Sequence, residues 1–230
     1  MTARTIDIVP LEMGTFTFAD DEPDAGQQGV VMAYLVRHAG GLLLFDTGMG
    51  FGSQLLDDRY HPRARRLEDV LAAAGHIPAD IGAVVNCHLH ADHAGQNHRL
   101  PGVPIHAQRA EWTLVQAGNH TIDEWVDFPG ADYRLRAGEF ELFRGIRVLA
   151  TPGHTAGHQS LALETPDGLF LLAGQACYSR GEWSGAASAR EGRSRAPDQA
   201  AYDRSLARLR DLRPARVYFG HDRAAWAADR

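Results

Sequence analysis

The 230-residue chain is 44% hydrophobic, carries a formal net charge of -6 and contains two cysteines. That is enough apolar material for one compact domain over residues 1–230, and too few cysteines for a disulfide framework. Every basic residue is arginine and no long basic run occurs, so a nucleic-acid binder that tracks phosphates is excluded.

The first residues hold no apolar signal core, and no run is long enough to span a bilayer. A soluble, reduced, cytoplasmic protein with no membrane partner is the expectation. Residues 5–9 alternate and predict a strand. Residues 11–29 mix Met13, Phe16 and Phe18 with an acidic run and glycines, which predicts a loop with apolar anchors. Residues 30–36 and 42–45 are apolar strands joined at Gly40-Gly41, a hairpin signal. The second strand runs into Asp46-Thr47-Gly48.

Arg63-Ala64-Arg65-Arg66 is surrounded by Asp57, Asp58, Glu68 and Asp69 and predicts a solvated surface. Residues 67–74 have helical spacing and stop at Gly75. Residues 81–87 read as a strand ending in a histidine cluster. A short strand (103–107) and a helix (108–117) closed by Gly118 follow. Residues 146–150 form a strand that runs into Thr151-Pro152-Gly153-His154. Two more strands, 159–163 and 169–173, flank a Pro-Asp-Gly turn. Residues 179–197 are rich in Gly, Ser and Arg, include Trp183, and predict a mobile flap whose arginines are solvated, or of which one holds a substrate carbonyl or carboxylate. Residues 198–212 give the longest predicted helix, with Tyr202, Leu206 and Leu209 on one stripe. A last strand, 217–219, ends in Gly220-His221-Asp222.

The stretch Cys87-His88-Leu89-His90-Ala91-Asp92-His93 carries three imidazoles and a carboxylate within six positions, 88–93. Histidines at i and i+2 on an extended segment point to one side, so His88 and His90 can share an ion. Asp92 and His93 come after the chain turns and can face a second point. Cys87 alternates with His88 and is expected to point away. Neutral imidazole suits zinc; carboxylate oxygen suits zinc, iron or manganese. His154, His158 and His221 also follow strands and offer further donors. No nucleophilic-serine elbow, dinucleotide turn or phosphate-binding loop occurs.

HLHADH resembles the HxHxDH signature of the metallo-β-lactamase superfamily. Asp46-Thr47-Gly48, TPGHTAGH (151–158) and the terminal GHD lie in the order that superfamily uses, so the resemblance spans nearly the whole chain. It implies an α/β fold of the α+β type, an αββα sandwich of two mixed β-sheets flanked by helices. Within the superfamily the chain most resembles the N-acyl homoserine lactonases, the quorum-quenching lactonases. The carriers are DTGM (46–49), HLHADHAGQN (88–97), TPGHTAGHQSL (151–161) and Tyr178. This resemblance implies His88, His90 and His154 around one metal, and Asp92, His93 and His221 around a second. It implies that Asp46 and His158 stand behind the ligands and orient them. One or two zinc ions are the implied cofactor, with iron, manganese or cobalt as other occupants. The implied substrate is a small lactone.

The family also has an aspartate that bridges both metals, and here that position falls on Gln175. Glutamine is longer and neutral, and its one good oxygen could coordinate one of the two ions but not bridge both. Without the carboxylate, two divalent ions about 3.5–4 Å apart repel each other with one more net positive charge between them. The Asp92/His93/His221 position is therefore expected to bind more weakly. Cys177, two residues on, reads mainly as a small packed residue.

The implied reaction is hydrolysis. A metal lowers the pKa of its water from about 15.7 to about 7, and the resulting hydroxide attacks the carbonyl. Tyr178 matches the family phenol that holds the oxyanion, and Asp92 protonates the leaving alkoxide. Met13, Phe16, Phe18, Met49 and Phe51 are candidates to line an acyl pocket. Other readings are an ester or thioester hydrolase of the same fold, a metal- or ligand-binding homologue impaired by Gln175, and a mononuclear iron enzyme acting on sulfur compounds.

Overall fold

The computed structural model describes residues 6–22, 24–186 and 195–228. Seven strands form one sheet: β1 (Asp7–Thr17), β2 (Gln28–His38), β3 (Gly41–Phe45), β4 (Arg63–Ala64), β5 (Ile81–Val85), β6 (Pro104–Gln108) and β7 (Asp132–Arg136). Their order is β4-β1-β2-β3-β5-β6-β7, antiparallel through β3 and parallel from β3 to β7. Six strands form the other: β8 (Phe140–Phe143), β9 (Ile146–Ala150), β10 (Gln159–Thr165), β11 (Gly168–Leu172), β12 (Arg216–Tyr218) and β13 (Trp226–Ala227). Its order is β13-β12-β11-β10-β9-β8, with β11 and β12 parallel. Among the described residues the helices are α1 (Gln54–Tyr60), α2 (Leu67–Ala73), α3 (Arg109–Ala117), α4 (Asp123–Val126), α5 (Arg180–Ser184) and α6 (Gln199–Asp211).

Strand alternation decides the layering. In β2, Val30, Met32, Tyr34 and Val36 face the second sheet, where they meet Ile146, Val148, Leu161, Leu163 and Leu172. Their neighbours Val31, Ala33 and Leu35 face the other way, onto Leu67, Val70 and Leu71 of α2. The second sheet repeats the pattern: Leu149, Ala162, Leu171 and Val217 turn outward onto Tyr202, Leu206 and Leu209 of α6. The result is helix, sheet, sheet, helix. Each fully buried aliphatic side chain in these layers contributes roughly 1.5–3 kcal/mol. Two hydrogen bonds stitch the sheets together just after β12: the Tyr34 hydroxyl donates to the Phe219 carbonyl at 2.6 Å, and the Met32 N–H to Gly220 O at 2.9 Å.

Two expectations need correction. Residues 11–17 are not a loop: β1 continues to Thr17 and pairs with β2 along its length. Pro10 and Gly14 hide it, because both normally interrupt strands. Gly14 sits at a bulge with φ 140°, and a Cβ there would lie 2.4 Å from the Arg63 carbonyl oxygen, so glycine lets β4 pair closely. Residues 180–184 form α5, with Trp183 buried against Trp226, rather than part of a flap. The flap expectation for 187–194 lies outside the described residues. No described helix is long and apolar enough to cross a membrane.

Candidate metal centre

The donor residues arrive from the ends of strands in both sheets. Asp46 follows β3, residues 88–93 follow β5, His154 follows β9, Gln175 and Tyr178 follow β11, and His221 follows β12. Rigid strands thus hold loops that meet at one edge of the sandwich.

The first group is all imidazole. His88, His90 and His154 each offer one ring nitrogen, and these three atoms all lie within 4.8 Å of one another. His154 Nε2 stands 3.2 Å from His90 Nδ1. His88 Nε2 is buried and meets no hydrogen-bond partner. Its other nitrogen, Nδ1, lies 3.1 Å from Cys87 Sγ, and that thiol in turn reaches Asp46 Oδ2 at 3.0 Å. Cys87 therefore does not point away. It sits behind the rings as a relay between His88 and Asp46, which leaves the His88 Nε2 lone pair bare.

The second group mixes charge types. His93 Nε2 lies 3.2 Å from His221 Nε2 and 3.3 Å from Asp92 Oδ2, and His221 Nε2 is 3.5 Å from the same oxygen. The back of each ring fixes its tautomer. His93 Nδ1 donates to Asp46 Oδ2 at 2.9 Å, and His221 Nδ1 to the Val30 carbonyl at 2.7 Å. Both Nε2 atoms then present lone pairs to each other and to a carboxylate. Three converging acceptors need a proton or a metal ion between them, and a metal ion satisfies all three. On this donor chemistry the residues fit a metal at both positions.

Protonation points the same way. Burial pushes His90 and His221 down to about 4, and drives His88 and His154 well below the ordinary value. All four are neutral and ready to ligate. Burial works to raise Asp92, but His93 and then His221 outweigh it and keep it ionised. Burial also opposes charge on His93, yet Cys87, Asp92 and Asp46 around it raise it, so a proton competes with a cation there.

His158 differs from its expected role. Its Nε2 accepts the Gln175 N–H at 2.9 Å, and its Nδ1 donates to Thr151 Oγ1 at 2.8 Å. The chain of donors continues to Ser160 and ends on the Ala173 carbonyl. His158 therefore locks the backbone at Gln175 rather than bonding a ligand histidine. Gly174, at φ 58°, makes this approach feasible: a Cβ would lie 2.6 Å from Cys87 Cβ. Gln175 is buried and borders the same cavity as His90, Asp92, His154 and His221, and its Oε1 has no protein partner. Cys177 lies with Trp183 and Tyr202 under α6.

Glu111 was not singled out in the sequence. It is fully buried on α3 and ties the two donor loops together. Oε1 accepts from Leu89 N at 3.0 Å and from His120 Nε2 at 2.6 Å; Oε2 accepts from Thr155 Oγ1 at 2.6 Å and Gly157 N at 3.2 Å. The His120 ring reaches the cavity wall 4.6 Å from that of His90. Nothing local marks Glu111, because its partners lie far along the chain.

A cavity of about 690 Å³ opens over both groups. Phe16, Phe18, Met49, Leu55, Leu56, Tyr60 and Ile122 supply apolar wall. Met13 is instead fully buried in the core, and Phe51 is exposed. Tyr178 borders the cavity and stacks on His221, rings 4.5 Å apart and 18° from parallel. Its N–H is held at 2.7 Å by Glu182, which also takes the Tyr202 hydroxyl. Burial pushes the Tyr178 phenol up, so it keeps its proton.

Comparison with known proteins agrees with this architecture. An N-acyl homoserine lactonase of Bacillus sp is 34% identical over 163 residues, covering 65% of this chain and 65% of that protein, slightly under two thirds of its length. The N-acyl homoserine lactonase AttM of Rhizobium radiobacter is 29% identical over 224 residues, 84% of this chain and 82% of its own. A solved N-acyl homoserine lactone hydrolase with N-hexanoyl-L-homoserine at its catalytic metal centre superposes with TM-score 0.80, at 26% identity, over 97% of this chain and 95% of that one. The model of the metallo-beta-lactamase superfamily matches residues 26–221, and the chain belongs to that superfamily.

Proposed function

We propose that the protein is a metal-dependent hydrolase that opens the ring of an N-acyl homoserine lactone. The observation that carries this reading is the pair of bare donor groups beneath a cavity with an apolar wall. The names of the relatives supply the substrate class. A bound divalent ion, zinc first and iron, manganese or cobalt as other occupants, supplies Lewis-acid polarisation and a water that ionises near pH 7.

The chain's own groups do the rest. The apolar wall takes the acyl chain and leaves the ring over the donor groups. Tyr178 keeps its proton and donates a hydrogen bond to the carbonyl oxygen as charge develops there. The Asp92 carboxylate takes up a proton from the attacking water and passes it to the ring oxygen when the C–O bond breaks. Both sheets contribute to the centre, which supports reading 1–230 as one domain.

Gln175 makes the two metal positions unequal. The His88/His90/His154 position is the tight one. The Asp92/His93/His221 position lacks a bridging carboxylate and meets a competing proton on His93, so it is the weaker. The same residue favours one second reading, a homologue with low turnover. Hydrolysis of N-hexanoyl homoserine lactone and of a thioester by zinc-loaded protein, followed by proton release, tests both. Lactone turnover that is lost in His88→Ala supports the proposal. Turnover of the thioester alone overturns it, and a sharp gain in Gln175→Asp moves the case to the impaired homologue.

A further inference from the structure

Arg195 meets the cavity wall in a way that neither the donor groups nor the apolar surface requires. Its side chain is only 11% exposed and pairs with Asp24. The guanidinium carbon lies 4.6 Å from the centre of the Phe18 ring and 4.7 Å from that of Tyr178. The two rings are themselves 6.4 Å apart, so the cation bridges them. Solvation, the expectation for arginines of residues 179–197, does not describe this residue.

Consider what holds Tyr178. Glu182 fixes its backbone N–H, and His221 lies under its ring. His221 is itself held by the Val30 carbonyl of β2, and Tyr178 packs with Phe16 and Phe18 in the core of the first sheet. Arg195 adds a charged clamp to this packing: one end of the guanidinium pairs with Asp24 while its face covers Phe18, just past β1, and Tyr178 beyond β11. A planar, delocalised, permanently charged group can pair with a carboxylate and lie on aromatic rings at once; a lysine ammonium cannot.

We infer that Arg195 is a positioning residue that holds the Tyr178 ring in its stack on His221, so that the phenol faces the cavity. The inference rests on the reading of Tyr178 as the hydrogen-bond donor to the substrate carbonyl. It adds a part of the molecule, the turn between β1 and β2, to the machinery that aims that phenol.

The test is a double-mutant cycle on zinc-loaded protein with N-hexanoyl homoserine lactone, together with a crystal structure of Arg195→Ala. Arg195→Ala should lower kcat about 10-fold while KM stays within about twofold. In a Tyr178→Phe background the same change should alter kcat less than about twofold, because the group it positions is gone. In the crystal structure the Tyr178 ring should leave its stack on His221. An unchanged kcat, an equal loss in the Tyr178→Phe background, or a ring still in place overturns the inference. Should Arg195→Ala fail to fold, Asp24→Asn weakens the same clamp, and a smaller kcat loss absent in Tyr178→Phe is expected. Full activity in Tyr178→Phe alone defeats the donor reading instead, and the ring position still decides the role of Arg195.

Discussion

The two donor groups are built on different backing. Behind His88 stands a neutral thiol, Cys87; behind His93 stands the Asp46 carboxylate; behind His221 stands a backbone carbonyl from β2. The first group gathers neutral nitrogens and needs only desolvated lone pairs. The second gathers opposite charge, Asp92 and a proton-prone His93, and its Nε2 atoms lie 3.2 Å apart. In a neighbouring pair of metal sites a shared carboxylate would even out this difference. On the proposed reading Gln175, which replaces that shared ligand with a neutral side chain, leaves the difference in place.

The largest effect should come from breaking the first group. His88→Ala, or a chelator, should lower lactone turnover on the order of 1,000-fold, about 4 kcal/mol of transition-state stabilisation. An equal loss from His221→Ala would erase the distinction between the groups. Next comes the frame that both share. Glu111→Ala should lower unfolding free energy by about 3 kcal/mol, read by urea melts, because it strands several buried donors. Burial works to raise the Glu111 carboxyl, but bonds from His120, Thr155 and Leu89 hold it below its ordinary value of 4.5. A depressed carboxyl stabilises the fold above its unfolded pKa, and that stability is lost as pH falls through the folded value. Wild type should therefore lose its advantage over Glu111→Gln only below about pH 4.5.

How much of this was legible in the chain depends on range. The donors of 88–93 announce themselves because one strand end supplies four of them. His154 and His221 follow the same strand-end rule. Residues whose meaning is a long-range contact stay silent: Glu111 bridges two loops, Cys87 turns inward behind its neighbour, and Arg195 gains its role from Phe18 and Asp24. The continuous apolar run of β2 marked it as a strand, whereas β7 and β8 were missed because their alternation is weak and largely solvent-facing.

Smaller changes sharpen the contrast of backing. Asp46→Asn should weaken metal at the Asp92/His93/His221 position by about 10–100-fold, since the carboxylate behind His93 raises its basicity. The His88 position should change by less than about threefold, because Cys87 still backs it. Competition against a chromophoric chelator measures both. Cys87→Ser, which keeps a donor and acceptor in place, should shift either affinity by less than about threefold.

The most direct test is metal content. Zinc-loaded wild type and Gln175→Asp are dialysed side by side against metal-free buffer, and zinc per chain is counted. One retained equivalent in wild type and two in Gln175→Asp is the predicted result. Two equivalents held equally firmly by both proteins would contradict it.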